Sequence, residues 1–242
     1  MSTQFFISDV HLGAGTAEQE TRKEKQLLNF LKHVEENGKS LFIVGDLFDF
    51  WFEYRSVIPR RFFQVLYALR RLVLNGITVE YLMGNHDFWL DRFFSDQLGI
   101  PVHTDSTVLN ANGRKIYIAH GDGLAKKDHG YRFLKKVLRY PLNIKLYRLL
   151  HPDFGFALAG WCSKLSRDNR VFNEENSDYI QFARDLFTQG YDDVILGHTH
   201  CPLEIIQDNK KFINIGDWIT HYSYGKLEKG KLSLEYWTEN VT

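Results

Sequence analysis

Short apolar runs alternate along the chain with stretches whose apolar residues recur every three to four positions, a pattern that predicts strands alternating with amphipathic helices. Gln4–Ser8 reads as a strand opening almost at the first residue. Thr21–Asn37 reads as a helix with Leu27, Leu28, Phe30, Leu31 and Val34 on one face and Gly38 as its stop. Ser40–Val44 follows as a strand, and Pro59 opens a second helix that runs to Asn75, with Gly76 behind it. Thr78–Met83 is a strand and Trp89–Leu98 a short helix. Thr107–Leu109 and Lys115–Ala119 flank Asn110-Ala111-Asn112-Gly113, a hairpin turn. Beyond the apolar run that ends at Leu196, β segments are expected at Leu203–Gln207, Lys211–Ile215, Ile219–Tyr224 and Leu232–Trp237, with turns at Asp208-Asn209 and Glu228-Lys229-Gly230. A βαβαβ first half and a β-rich second half predict an α/β fold of two facing sheets with helices outside, a four-layer αββα sandwich.

Leu124–Asn176 breaks this pattern, since it contains no strand candidate. Tyr131–Tyr140 reads as a basic helix carrying Arg132, Lys135, Lys136 and Arg139, interrupted by Pro141. Asn143–Leu150 continues it with Lys145 and Arg148. Phe154–Trp161 is rich in apolar and small residues and is followed by Lys164, Arg167 and Arg170. Apolar surface edged by cations suits an amphipathic ligand or a membrane interface; a helical cap packed on the core has the same composition. The length, 242 residues, accommodates a single domain over 1–242 with this segment, about 124–176, as an insertion or lid.

Composition excludes more than it assigns. Lys and Arg together number 30, as do Asp and Glu, so no overall basic field points to nucleic acid. No apolar stretch is long enough to span a bilayer. The 2 cysteines, Cys162 and Cys201, and the absence of a secretory pattern at Met1 predict reduced thiols in a cytoplasmic protein.

The chemistry lies where the strands end. Asp9-Val10-His11, Gly45-Asp46-Leu47-Phe48-Asp49, Gly84-Asn85-His86-Asp87, His120-Gly121-Asp122 and Gly197-His198-Thr199-His200 each close an apolar run. A strand ending in Asp, Asn or His presents that side chain at the rim of a sheet, where α/β folds place their sites. Oxygen and imidazole donors without thiolate suit hard or borderline divalent metals. Asp46, directly after a strand and a glycine, is the candidate bridge between two ions. Asp87 and Asp122 read as turn caps, and His33, His103, His151 and His221 as structural or surface residues.

The ordered set, spanning Asp9 to His200, resembles the calcineurin-like metallophosphoesterases. The resemblance implies two divalent ions, one held by Asp9, His11 and His200 and the other by Asn85, His120 and His198, with Asp46 shared; in the branch named next they are typically Mn²⁺. Such a pair lowers the pKa of a shared water and draws in phosphate. His86 would lie beside the phosphate as donor or general acid, with Asp49 either orienting it or simply terminating a turn. Gly45–Trp51, His120–Leu124 followed by Asp128 and Tyr131, and Gly216-Asp217-Trp218 are similar to motifs of one branch, the UDP-2,3-diacylglucosamine diphosphatases of lipid A biosynthesis. That similarity implies hydrolysis at the α-phosphorus to UMP and 2,3-diacylglucosamine 1-phosphate by an enzyme attached peripherally to the inner leaflet. It implies acyl chains against Phe154, Phe156, Leu158 and Trp161, and substrate contacts from Asn85, Asp128, Tyr131, Lys164 and Arg167. One position departs: the familiar form of that branch has arginine where this chain has His86. A fixed planar fork and a titrating imidazole handle phosphate differently. Action on another nucleotide or phosphodiester is therefore the second reading.

Overall fold

The computed structural model describes residues 3–125, 128–168 and 176–238, with the backbone alone over 161–168. In chain order the first part is β1 (Thr3–Ile7), α1 (Ala17–Asn37), β2 (Gly38–Val44), α2 (Phe63–Leu74, entered through a 3₁₀ turn at Arg60–Phe62), β3 (Thr78–Leu82) and β4 (Val102–His103). The hairpin β5 (Ser106–Ala111) and β6 (Arg114–Ala119) leads into α3 (His129–Leu138), α4 (Pro141–Tyr147) and α5 (Pro152–Asp168). Then come α6 (Asn176–Thr188), β7 (Asp193–Leu196), β8 (Leu203–Gln207), β9 (Lys210–Asn214), β10 (Ser223–Glu228) and β11 (Lys231–Tyr236).

The strands form two sheets, ordered β11-β10-β1-β2-β3-β4 and β5-β6-β7-β9-β8. Alternation along β1 and β2 decides what faces what. Phe6, Phe42 and Val44 point between the sheets, where they meet Ile118, Ile195 and Ile213. Phe5, Ile7, Leu41 and Ile43 point outward and are covered by Leu27, Phe30 and Leu31 of α1 and Val65 and Leu69 of α2. On the far side of the second sheet, Tyr179, Ala183, Leu186 and Phe187 of α6 cover Val194, Leu196 and Phe212. The result is the expected αββα order.

Local differences have local causes. α1 begins at Ala17 rather than Thr21, because Thr16 and Gln19 form a reciprocal capping box at its N-terminus. The expected helix at Trp89–Leu98 shrinks to a π-type turn at Phe93–Leu98. Trp89 is held by a bridge to Phe52, and Glu53 Oε2 accepts the Arg92 and Phe93 N–H groups at 2.9 and 3.0 Å, fixing the start. The expected strand at Ile219–Tyr224 is mostly turn. Asp217 Oδ1 accepts the N–H groups of Ile219, Thr220 and His221 at 2.9, 2.7 and 3.0 Å, so the strand starts only at Ser223. The three expected hairpin turns form at left-handed pairs, Asn112-Gly113, Asp208-Asn209 and Lys229-Gly230.

Candidate active site

β1, β2 and β3 run parallel, as do β6, β7 and β9, so their C-terminal ends gather on one rim. Asp9 and His11 leave β1, Asp46 and Asp49 leave β2, Asn85 and His86 leave β3, His120 leaves β6, and His198 and His200 leave β7. The loops are tied to one another before any ligand is considered. The N–H groups of His11 and Leu12 donate to the carbonyls of Asp46 and Leu47, both at 3.0 Å, and Gly197 N–H donates to His120 at 3.0 Å. His198 N–H reaches across to Asp9 Oδ2 at 2.8 Å, joining the two sheets at the site.

Asp9, His11, Asp46, His198 and His200 all have left-handed backbone, with φ between 47° and 69°. Outside tight turns such values are uncommon for non-glycine residues and concentrate where surrounding contacts enforce them. The neighbouring glycines show how closely the loops approach. A Cβ on Gly84 would stand 2.0 Å from Asp46 Oδ1, and one on Gly197 2.1 Å from Ser8 Oγ and 2.7 Å from Asp9 Oδ2.

The donor atoms converge. His11 Nε2 lies 3.2 Å from His200 Nε2, 3.5 Å from Asp9 Oδ1 and 3.5 Å from Asp46 Oδ2. His120 Nε2 lies 3.4 Å from Asp46 Oδ2 and 3.1 Å from Asn85 Oδ1. Its Nδ1 faces the Val44 carbonyl at 2.9 Å, which fixes the tautomer that leaves Nε2 as a lone-pair donor. The His120 and His198 rings stand 5.1 Å apart. Asp46 Oδ1 accepts the His86 N–H at 2.8 Å, so only Oδ2 remains directed at the cluster. Among the described residues nothing donates a hydrogen bond to buried Asp9 Oδ1 or Asp46 Oδ2, a costly arrangement unless a cation meets them. Asp9/His11/His200, His11/Asp46/His86 and Asp9/Asp46/His120 each bring ligand atoms within 4.8 Å of one another. This all-oxygen and imidazole set fits divalent metal ions.

Electrostatics agree. Burial opposes the charge on Asp9 and Asp46, but His200, His120 and His11 hold Asp9, and His120, His86 and His11 hold Asp46, far below the usual carboxylate range. In return, burial notwithstanding, Asp49, Asp9 and Asp46 raise His11 to about 9, and Asp46 and Asp9 raise His120 to about 10.

The supporting residues differ from the sequence reading in part. His86 Nδ1 meets the backbone carbonyl of Asp49 at 3.0 Å, while the Asp49 carboxylate stands 3.6 Å from it and 3.5 Å from His11 Nδ1. Asp87 does more than cap its turn. It accepts Gly84 N–H at 2.9 Å, Asp46 N–H at 3.2 Å and the Tyr81 hydroxyl, locking the second and third loops together. Asp122 does more than the expected turn cap: its Oδ2 receives Tyr131 Oη and Lys135 Nζ, each at 2.6 Å, and so anchors α3. The hydroxyl proton of Tyr131 is thus spent on Asp122, and only its lone pairs remain for a sugar. Asp128 stands just before α3. The side chains of Trp161, Lys164 and Arg167 lie outside the described residues. Asp217, part of a motif but given no role, has Oδ2 3.8 Å from His200 Nδ1, and Trp218 N–H donates to the Asp9 carbonyl at 3.1 Å. The late Gly-Asp-Trp motif therefore braces the first loop.

The insertion rests on three of these loops. Tyr147 packs 4.7 Å from Phe52 and 4.8 Å from Trp89, Phe156 packs 5.5 Å from Phe50, and Asp122 makes the third link. Its other face is open. No residue of α3 or α4 is buried, and Phe133, Leu149 and Phe154 are 70 %, 81 % and 60 % exposed. Leu134, Tyr140, Leu142 and Leu146 are exposed beside them. No helix among the described residues is long and apolar enough to cross a membrane.

Comparison with known proteins places this arrangement. The chain is 31% identical over 251 aligned positions to a UDP-2,3-diacylglucosamine hydrolase of Porphyromonas gingivalis, covering 96% of each. It is 31% identical to the enzyme of that name from Nitrosococcus oceani, covering 88% of this chain and 86% of the relative. A solved archaeal phosphodiesterase aligns over 97% of this chain and 99% of its own with a TM-score of 0.48 and 14% identity. The calcineurin-like phosphoesterase model matches residues 4–202, and with that match the chain belongs to the calcineurin-like phosphoesterase family of hydrolases.

Proposed function

We propose that this hydrolase cleaves the pyrophosphate of UDP-2,3-diacylglucosamine, giving UMP and 2,3-diacylglucosamine 1-phosphate. The observation that carries the reading is the pairing of a buried Asp/His cradle with an adjoining insertion that leaves an apolar face open to solvent. Relatives of that activity at 31% identity over nearly the whole chain support it.

Within this reading Asp9, His11 and His200 hold one ion, and Asn85, His120 and His198 the other. Asp46 serves both, since its Oδ2 lies between His11 Nε2 and His120 Nε2. Two bound ions, Mn²⁺ in our reading, supply an activated water and Lewis acidity at the phosphoryl oxygens. His86, whose Nδ1–H is committed to the Asp49 carbonyl, donates from Nε2 to a phosphoryl or leaving oxygen when its ring is the doubly protonated imidazolium. Asp87 and Tyr81 keep the Asp46 and His86 loops in register. The chain acts as one domain, with residues 124–176 as its lid. Asp128 and the Tyr131 lone pairs meet the glucosamine, Lys164 and Arg167 meet phosphate or sugar oxygens, and the apolar face takes acyl chains or the inner leaflet. The enzyme then works in the cytoplasm, peripherally attached to that leaflet.

The test is a substrate panel on Mn²⁺-loaded protein: UDP-2,3-diacylglucosamine, UDP-N-acetylglucosamine and bis(4-nitrophenyl) phosphate. The diacylated substrate should be hydrolysed with a kcat/KM far above the others, with UMP as product. Failure to hydrolyse it alongside turnover of a simple diester would replace this reading with the other-phosphodiester one, which His86 keeps open.

A further inference from the structure

The five metal-site motifs themselves contain neither lysine nor arginine. A pyrophosphate nevertheless carries one phosphate to the ions and leaves a second outside them. We propose that Arg61 binds this second phosphate, the one that departs on the diacylglucosamine; the assignment rests on the substrate reading above.

Arg61 belongs to the 3₁₀ turn at Arg60–Phe62, anchored by buried Phe62. Its guanidinium lies directly against Gly13, two residues beyond His11. A Cβ built on Gly13 would come within 2.6 Å of Arg61 Nη2 and 2.8 Å of its Cζ, so any side chain there would evict it. Gly13 is itself fixed by Glu20 Oε2, which accepts its N–H at 2.5 Å. The guanidinium carbon sits 4.6 Å from the centroid of the Phe62 ring, which holds the fork without using its donors. Among the described residues Arg61 makes no hydrogen bond or ion pair, although it lies in the fields of Glu20 and Asp49. On its other side Arg61 lines a cleft of about 370 Å³ with Ile58, Pro152 and Phe156, where α5 of the insertion begins.

Arg61 therefore stands between a metal loop and the insertion. If the α-phosphorus is attacked at the ions and the acyl chains lie against the insertion, the sugar phosphate must occupy that interval. In the reaction the water oxygen bonds to the α-phosphorus and the water's proton passes to solvent. The bond from the α-phosphorus to the bridging oxygen breaks, and its electron pair stays on that oxygen, now part of the sugar phosphate. Negative charge thus grows on the group Arg61 would hold. A planar fork that meets a phosphate bidentately contributes more as that charge develops, so the effect belongs in kcat as well as KM.

Arg61→Ala and Arg61→Lys, Mn²⁺-loaded, should be compared with wild type on UDP-2,3-diacylglucosamine and on bis(4-nitrophenyl) phosphate, which has no second phosphate. The Ala variant should lose about 10- to 100-fold in kcat/KM on the pyrophosphate, the loss expected for a charge-assisted hydrogen bond, and change little on the diester. Lysine should restore part of kcat/KM, and both variants should keep wild-type metal content. Equal losses on both substrates would mean that Arg61 only props the Gly13 loop, and an unchanged pyrophosphate rate would remove it from the site; either overturns the assignment. A wild-type protein that hydrolyses the diester but not the diacylated substrate overturns the substrate reading and this assignment with it.

Discussion

Replacing Asp46 by alanine should empty both metal positions at once. Its Oδ2 lies 3.5 Å from His11 Nε2 and 3.4 Å from His120 Nε2, so one oxygen stands between the two ligand sets. The consequence is measurable as stability. An ion at a free concentration of 100 times its Kd stabilises the folded state by about 2.7 kcal/mol, so two sites give about 5 kcal/mol. For a chain of this size each kcal/mol moves Tm by about 2–4 °C, which predicts a rise of about 10–20 °C when metal-free wild type is saturated with Mn²⁺. Asp46→Ala should show almost none of that rise, bind less than one ion by elemental analysis, and lack phosphodiesterase activity. Scanning fluorimetry across a Mn²⁺ titration, with turnover on the same samples, reads all three. A variant that binds one ion tightly and keeps half the rise would show that Asp46 serves a single site. Full occupancy would remove it from metal binding altogether.

Metal loading at pH 7 should release protons. His11 and His120, raised from 6.5 to about 9 and about 10 by the carboxylates around them, must lose theirs to become ligands, so calorimetry in buffers of different ionisation enthalpy should show proton release, and a buffer-independent heat would contradict it. By the same values, the stability these two groups give the metal-free protein is complete below about pH 6.5 and lost as pH rises through 9 to 10, which urea unfolding across that range would show. His86→Ala should keep both ions and lower kcat by roughly 10²–10⁴, the range of an acid–base group, whereas loss of an ion would make His86 a ligand. Leu149→Glu or Phe154→Glu, at sites 81 % and 60 % exposed, should leave Tm and diester hydrolysis near wild type but weaken hydrolysis of the diacylated substrate and binding to anionic vesicles; unchanged lipid kinetics would make that face inert.

Much of the cradle was legible because strand ends and ligand types coincide. Asp9, His11, Asp46, Asn85, His120, His198 and His200 all lie on the expected rim, since a parallel strand delivers its next polar residue there. Less legible were contacts made through the backbone or from afar. Nothing in the spacing of Asp49 says that its carbonyl, not its carboxylate, receives His86 Nδ1. Nothing local says that Asp122 reaches past its own turn to Tyr131 and Lys135. The strand expected at Ile219 failed because one side chain, Asp217, outcompetes a sheet for three N–H groups. α6 was readable in principle, since Tyr179, Ala183, Leu186 and Phe187 share a helical face, but the insertion before it blurred where the regular pattern resumed.

The left-handed backbone at Asp9, His11, Asp46, His198 and His200 limits how this centre could be rebuilt. Asparagine, aspartate and histidine are the side chains that tolerate that conformation best after glycine, and β-branched residues the ones that tolerate it least. Metal chemistry and peptide geometry therefore ask for the same short alphabet at these positions. Exchanging Asp for Asn there alters charge while keeping a side-chain oxygen for the His198 and His86 N–H groups that tie the loops. Installing valine, isoleucine or threonine would instead set the chain against its own course. The outline of the centre is thus fixed by the backbone that carries it as much as by the ligands it presents.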